Sequence, residues 1–114
     1  MDIERKQNNG RMSQAVIHDR TVYLSGQVSR GSGTAAQATG ILAAIDGLLL
    51  GAGTNKSNLL SVTIWLADMA DYPEMNAIWD SWVDAANAPA RATVEARLAD
   101  PGFTIEIAAI AALP

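Results

Sequence analysis

The chain has no cysteine and a single histidine. Disulfides, thiolate metal sites and a cysteine nucleophile are therefore excluded. One histidine leaves little material for a His-based metal cluster or a Ser-His-Asp triad. That residue, His18, lies in His18-Asp19-Arg20, which reads as a polar turn between two strand-like runs. Aromatic residues make up only 5% of the chain, so alanine-rich close packing is expected rather than a large aromatic cavity. No apolar run approaches the ~20 residues that span a bilayer. The start, Met1-Asp2-Ile3-Glu4-Arg5-Lys6, is polar and lacks the apolar core of a signal peptide. The expectation is a cytoplasmic protein with no membrane partner.

Basic charge is also scarce. The net charge is −4, and the eight basic residues are scattered, with no run longer than Arg5-Lys6. Nucleic-acid binding normally shows a basic stripe that releases counterions from phosphate, so no nucleic-acid partner is expected. The glycines at positions 26, 31 and 33 match neither a dinucleotide fingerprint nor a phosphate-binding loop. What the chain does have is the size of one domain, residues 1–114, with 49% hydrophobic residues to build one core.

Its periodicities give the element order. Ile3 suits a short edge strand. Residues 13–17 and 21–25 form a hairpin, with Val22 and Leu24 on one face. Thr34-Ala35-Ala36-Gln37 has the form of a capping box. The helix after it carries Ile41, Ile45, Leu48, Leu49 and Ala52 on one side, and Gly51 and Gly53 end it. Residues 59–67 form the strongest strand. Leu60, Val62, Ile64 and Leu66 share one face; Leu59, Ser61, Thr63, Trp65 and Ala67 share the other. The second face is too apolar to belong simply in water, which suggests another subunit. Asp71 is placed to cap a second helix, with Pro73 in its first turn and Glu74 at the capping-box position. Met75, Ile78, Trp79, Trp82, Val83 and Ala86 line that helix's core face, and Asn87 to Pro89 stop it. Residues 91–98 alternate, with Arg91, Thr93, Glu95 and Arg97 together. Asp100-Pro101-Gly102 turns the chain into a last strand with Phe103, Ile105, Ile107, Ala109 and Ala111 on one side. The expected fold is α+β: a single sheet with two helices packed on one face.

Two residues stand out chemically. Arg91 follows a proline where helix gives way to strand, and a guanidinium offers a planar fork suited to a carboxylate. Glu106 lies between Ile105 and Ile107 in the last strand. The ordinary alternatives are a helix-end cap or ion pair for Arg91 and a solvent-facing strand position for Glu106. For both to serve one pocket, their faces must converge near one edge of the sheet, beside Ser25 and Gly26.

Four pieces of sequence carry a resemblance to the RidA (YjgF/YER057c/UK114) family, running from about residue 12 to residue 113. They are Ser13-Gln14-Ala15-Val16; Tyr23-Leu24-Ser25-Gly26-Gln27-Val28; Leu66-Ala67-Asp68-Met69-Ala70-Asp71-Tyr72 with Met75-Asn76; and Pro89-Ala90-Arg91 followed by residues 105–111. Asn55-Lys56-Ser57 and Trp79-Asp80-Ser81-Trp82-Val83 are similar to its YoaB-like branch. The resemblance implies a chorismate-mutase-like fold and a homotrimer with pockets at the subunit boundaries. It implies hydrolysis of reactive 2-imino acids, such as 2-aminoacrylate, to 2-keto acids and ammonia, without metal or cofactor. Arg91 would clamp the substrate carboxylate and Glu106 would place the attacking water. Ser25, Gly26, Asn76 and Thr93 occupy pocket positions of the family. At Met12 the family's archetypes carry a tyrosine, so a phenol is replaced by a thioether that cannot donate a hydrogen bond. The loop between Gln27 and Gln37 is also shorter than the archetype's.

Three functions follow as alternatives. The first is an imine deaminase. The second is a non-catalytic binder of 2-keto acids, which Met12 favours. The third is an endoribonuclease or translation inhibitor, against which the acidic pI of about 4.7 weighs.

Overall fold

The computed structural model describes residues 2–114; Met1, the first residue of the polar start, lies outside the described residues. Six strands and two helices follow one another as β1 (Ile3–Lys6), β2 (Ala15–His18), β3 (Thr21–Leu24), α1 (Thr34–Gly51), β4 (Leu59–Leu66), α2 (Tyr72–Trp82), β5 (Ala90–Glu95) and β6 (Ile105–Ala112). The sheet order is β1-β2-β3-β6-β4-β5, so the C-terminal strand lies in the middle. Among the described residues only β4 and β5 pair in parallel, as a strand–helix–strand crossover through α2 requires. The fold is the expected α+β arrangement, one mixed sheet with both helices on one face.

The β2–β3 hairpin turns on Asp19 and Arg20, both with positive φ, at 49° and 68°. Two successive left-handed residues match the right-handed twist of the flanking strands. His18 is therefore the last residue of β2, paired with Thr21, rather than part of the turn.

The core lies between the helices and one face of the sheet. Alternate residues supply it: Val22 and Leu24 from β3, Val62, Ile64 and Leu66 from β4, and Ile105, Ile107, Ala109 and Ala111 from β6. The helices cover them with Ala38, Ile41, Leu42, Ile45 and Leu49 of α1 and Met75 and Trp79 of α2. By length and composition α1 could cross a membrane, but here its apolar side is the roof of this core.

The structure corrects four expectations. Leu59, not Leu60, is buried, and Leu60 is 51% exposed. A β-bulge between Leu59 and Ser61 shifts the pairing with β6 and exchanges the two faces at the start of the strand. Thr34 and Gln37 do not form a capping box. Gly33 is the N-cap, and Thr34 Oγ1 instead reaches Asp71 Oδ2 and Thr104 Oγ1 at 2.7 and 2.8 Å. Gln37 donates to the carbonyls of Gly31 and Gly102 and accepts from the Thr104 amide. Both side chains are buried, and buried polar atoms must satisfy the loops packed against them. Asp71 precedes α2 as expected, but its carboxylate accepts from Thr34 and makes no cap hydrogen bond. Finally, α2 stops at Trp82, and Ala86 lies outside it in an exposed 3-10 turn over Ala85–Asn87.

Candidate active site: two separated halves

Strand register decides where the two candidate residues point. In the parallel β4–β5 pair Arg91 lies beside Val62 and Thr93 beside Ile64, both core-facing partners. Arg91 and Thr93 therefore face the helices, and Ala92 and Val94 face away. This inverts the usual alternation of apolar inside and polar outside, and leaves Val94 45% exposed. In the antiparallel β4–β6 pair Glu106 lies beside Trp65 while Ile105 and Ile107 are buried. Glu106 is thus on the face without helices. Side chains alternate with a period of two along a strand, so no adjustment within one chain brings these residues onto one face. The expected convergence at a sheet edge does not occur: Arg91 and Glu106 occupy opposite faces.

Each residue has its own surroundings. On the helix side, the Arg91 guanidinium carbon is 5.3 Å from the Trp79 ring centre and 5.8 Å from that of Tyr72. Its Nη2 donates to the Tyr72 hydroxyl at 3.1 Å, and its Nη1 lies 3.9 Å from Met75 Sδ. Tyr72, Met75, Asn76 and Trp79 recur at helical spacing, so a single side of α2 presents them all to β5. Among the described residues the ion pairs are Lys6–Glu4 and Arg30–Asp100, and Arg91 forms none. Neither ordinary role, helix-end cap nor ion pair, is what Arg91 does. Thr93 adds an unused group to this half, since its Oγ1 is buried without a hydrogen-bond partner.

Tyr72 was not singled out in the sequence. Hydrogen bonding from the Asn76 side chain, followed by the charge of Arg91, holds its hydroxyl below the usual tyrosine value of 10. The signal that could have found it was its spacing, one helical turn before Asn76 and on the same side of α2.

On the open face, Glu106 lies over Gly26. A Cβ at Gly26 would overlap the Glu106 carboxylate, so glycine there leaves the carboxylate the place it occupies. The loop after β3 is held in place by Gln27, whose amide and carbonyl bond those of Ile107 at 2.8 and 3.1 Å. Ser25 is tied to the neighbouring segment by its hydroxyl, which donates to the Ser13 carbonyl at 2.5 Å. Met12, next to Ser13, is 48% exposed. Glu106, Gly26 and Ser25 thus group on the open face, with Met12 joined to them only through its neighbour Ser13, and Arg91, Asn76, Thr93 and Tyr72 group on the helix side.

A groove of about 810 Å³ runs along Glu95, Arg97, Asp100 and Phe103 and contains none of these residues. A second, of about 210 Å³, lies on the open face between Tyr23, Thr63 and Ile110. Neither half is an enclosed cavity by itself.

Comparison with known proteins gives this geometry a context. The family model described as Endoribonuclease L-PSP matches residues 3–113. A RutC family protein of Haemophilus influenzae is 45% identical, with 97% of this chain and 98% of the relative covered. The RutC family protein YoaB of Escherichia coli is 42% identical over 99% of this chain and all of its own. A rat protein named 2-iminobutanoate/2-iminopropanoate deaminase is 37% identical, over 90% of this chain and 80% of its own. Among solved structures, a YjgF-family protein of Neisseria meningitidis superposes with a TM-score of 0.97 at 43% identity, covering 100% of this chain and 97% of that one.

Proposed function

Since the chain belongs to the RidA (YjgF/YER057c/UK114) family, on its YoaB-like branch, we propose that it is an imine deaminase acting on small 2-imino acids. Its pocket would be completed between subunits, with Arg91 of one protomer meeting Glu106 of the next. The observation that carries this reading is the Arg91 guanidinium, half-buried between two aromatic rings and without an anionic partner among the described residues. A cation so placed is a receptor for a carboxylate that the chain itself does not supply.

Halves on opposite faces suit a heterologous interface, in which one surface meets a different surface of the neighbour. Such contacts close into rings when the rotation permits. A homotrimer is one such ring. The open face, with Trp65, Thr63 and Ile110 set on it away from the helices, supports it as the surface that meets a neighbour.

The chemistry asks little of the protein. A protonated imine is already electrophilic, so the reaction as proposed needs neither metal nor cofactor. Arg91 holds the substrate carboxylate and Glu106 takes a proton from water. The water oxygen bonds to the imine carbon as the C=N π pair moves to nitrogen. Glu106 then returns the proton to that nitrogen; as the C–N bond breaks, an oxygen lone pair forms the carbonyl and the hydroxyl proton passes by way of Glu106 to the departing ammonia, so ammonium and a 2-keto acid result. Ser25, Gly26, Met12, Asn76 and Thr93 line the pocket. Holding substrate and water in a reactive geometry accounts for most of the acceleration in such a scheme. We place this activity in the cytoplasm, with small carboxylate-bearing imines or 2-keto acids as partners and neither nucleic acid nor membrane.

Met12 favours a second reading, in which the same arginine holds a 2-keto acid without turnover. Ammonia release from an imine generated in situ by an amino-acid oxidase separates the two. The deaminase reading expects release that depends on both Arg91 and Glu106. Binding of 2-keto acids with no accelerated release would leave the binder as the account.

A further inference from the structure

Tyr72 opens α2 beside Arg91. Its oxygen accepts a hydrogen bond from Arg91 Nη2 at 3.1 Å, and Asn76 lies one turn along the same helix. A phenolic oxygen accepts at most two hydrogen bonds and donates one. With Arg91 donating to it, its own proton is left for another partner. The residue is 38% exposed, so that partner can come from outside the chain.

We propose that Tyr72 is a substrate-binding residue: its hydroxyl donates to the substrate carboxylate that Arg91 holds, extending the guanidinium fork by one donor. This rests on the carboxylate-clamp reading of Arg91. It also gives the pocket a phenol, which the Met12 position cannot supply. The ring has a second task. It stands 5.8 Å from the guanidinium carbon, on the same side of α2 as Trp79, so the two aromatics fix the plane of the fork as well as its place. The two tasks separate under mutation, because Tyr72→Phe keeps the ring and removes only the donor.

The Asn76 hydrogen bond and the Arg91 charge lower the pKa of this hydroxyl, so the donor is lost at a lower alkaline pH than an ordinary tyrosine would be. Arg91 is the charged group acting on it.

The test is calorimetric titration of the wild type, Tyr72→Phe and Arg91→Lys with 2-oxobutanoate, from pH ~7 to ~10.5, across the usual tyrosine value. Wild-type affinity should fall along an alkaline limb below pH ~10. Tyr72→Phe should bind about three- to tenfold more weakly at neutral pH, the effect of one hydrogen bond to a charged group, and should lack that limb. A purely structural tyrosine would not move the limb. Unchanged affinity and an intact limb in Tyr72→Phe, with Arg91→Lys impaired, would overturn the proposal and leave the clamp standing. If Arg91→Lys is silent, the clamp itself is wrong and the role of Tyr72 falls with it.

Discussion

Replacing Thr93 by valine isolates one atom. The Thr93 hydroxyl is buried on the helix side of β5, two residues after Arg91, with no hydrogen-bond partner. A buried hydroxyl left unsatisfied costs about 1–3 kcal/mol of desolvation without compensation. Valine keeps the β-branch and the strand preference while removing that atom. The ligand-free protein should therefore gain about 1–2 kcal/mol. For a domain of this length, ~1 kcal/mol corresponds to about 4–6 °C in Tm. Melting should be followed at fixed protein concentration, because assembly makes Tm concentration-dependent. The same substitution should weaken 2-oxobutanoate binding by about three- to tenfold, if the hydroxyl is satisfied by ligand. Opposite signs for stability and affinity are the signature of a group held unsatisfied for function. A lower Tm would refute the reasoning, since it would mean that the hydroxyl already has a partner in the assembled protein. A higher Tm with unchanged affinity would remove Thr93 from the pocket.

Other substitutions probe the second half and the surface. Glu106→Gln keeps shape but cannot take a proton; turnover should fall about 10²-fold or more with 2-keto-acid affinity spared, as read by ammonia release and titration. Gly26→Ala pushes on the far end of the Glu106 side chain, which can swing aside. Stability should change by less than ~1 kcal/mol in thermal melts, while turnover drops about tenfold or more through misplacement of the carboxylate. Asp84 is held below its ordinary value of 3.8 by Asn87 and then Ser57, and Asp100 by the Gly102 amide and then Arg30. For a carboxyl depressed on folding, the stabilisation is present above the unfolded value and is lost as pH falls through the folded one. Melting temperature should thus be insensitive to these two groups from neutral pH to about 4 and decline below it; Asp100→Asn should flatten part of that decline.

The element order, the core-facing residues of β3, α1 and β6, and the sheet with its helices on one face were legible in periodicity, because burial on one side writes itself into spacing. What was not legible involved partners distant in sequence. The bulge at Leu59 and Ser61 depends on the pairing with β6, so alternation alone assigned Leu60 to the core. Thr34 and Gln37 have the spacing of a cap, yet loops some 70 residues away claim their side chains. Of the site, both charged residues were marked from their types and positions, but their faces were not. The alternation of β5 shows that Arg91 and Thr93 lie together, not which side the helices cover. That is set by the register with β4, in which Arg91 falls beside Val62. Tyr72 was hidden by its place at a helix start, where Tyr-Pro-Glu reads as local structure.

The claim on which the rest depends is that Arg91 and Glu106 act together only across a boundary between protomers. Arg91→Ala and Glu106→Gln should each abolish ammonia release as homotrimers. When the two variants are unfolded and refolded together in equal amounts, a pocket is intact if the protomer giving Arg91 carries Glu106→Gln and its neighbour giving Glu106 carries Arg91→Ala. Random assembly into a cyclic trimer makes about one quarter of the pockets intact, so activity should recover to about one quarter of the wild-type value. No recovery, with mixed trimers demonstrated by mass spectrometry, would contradict the account.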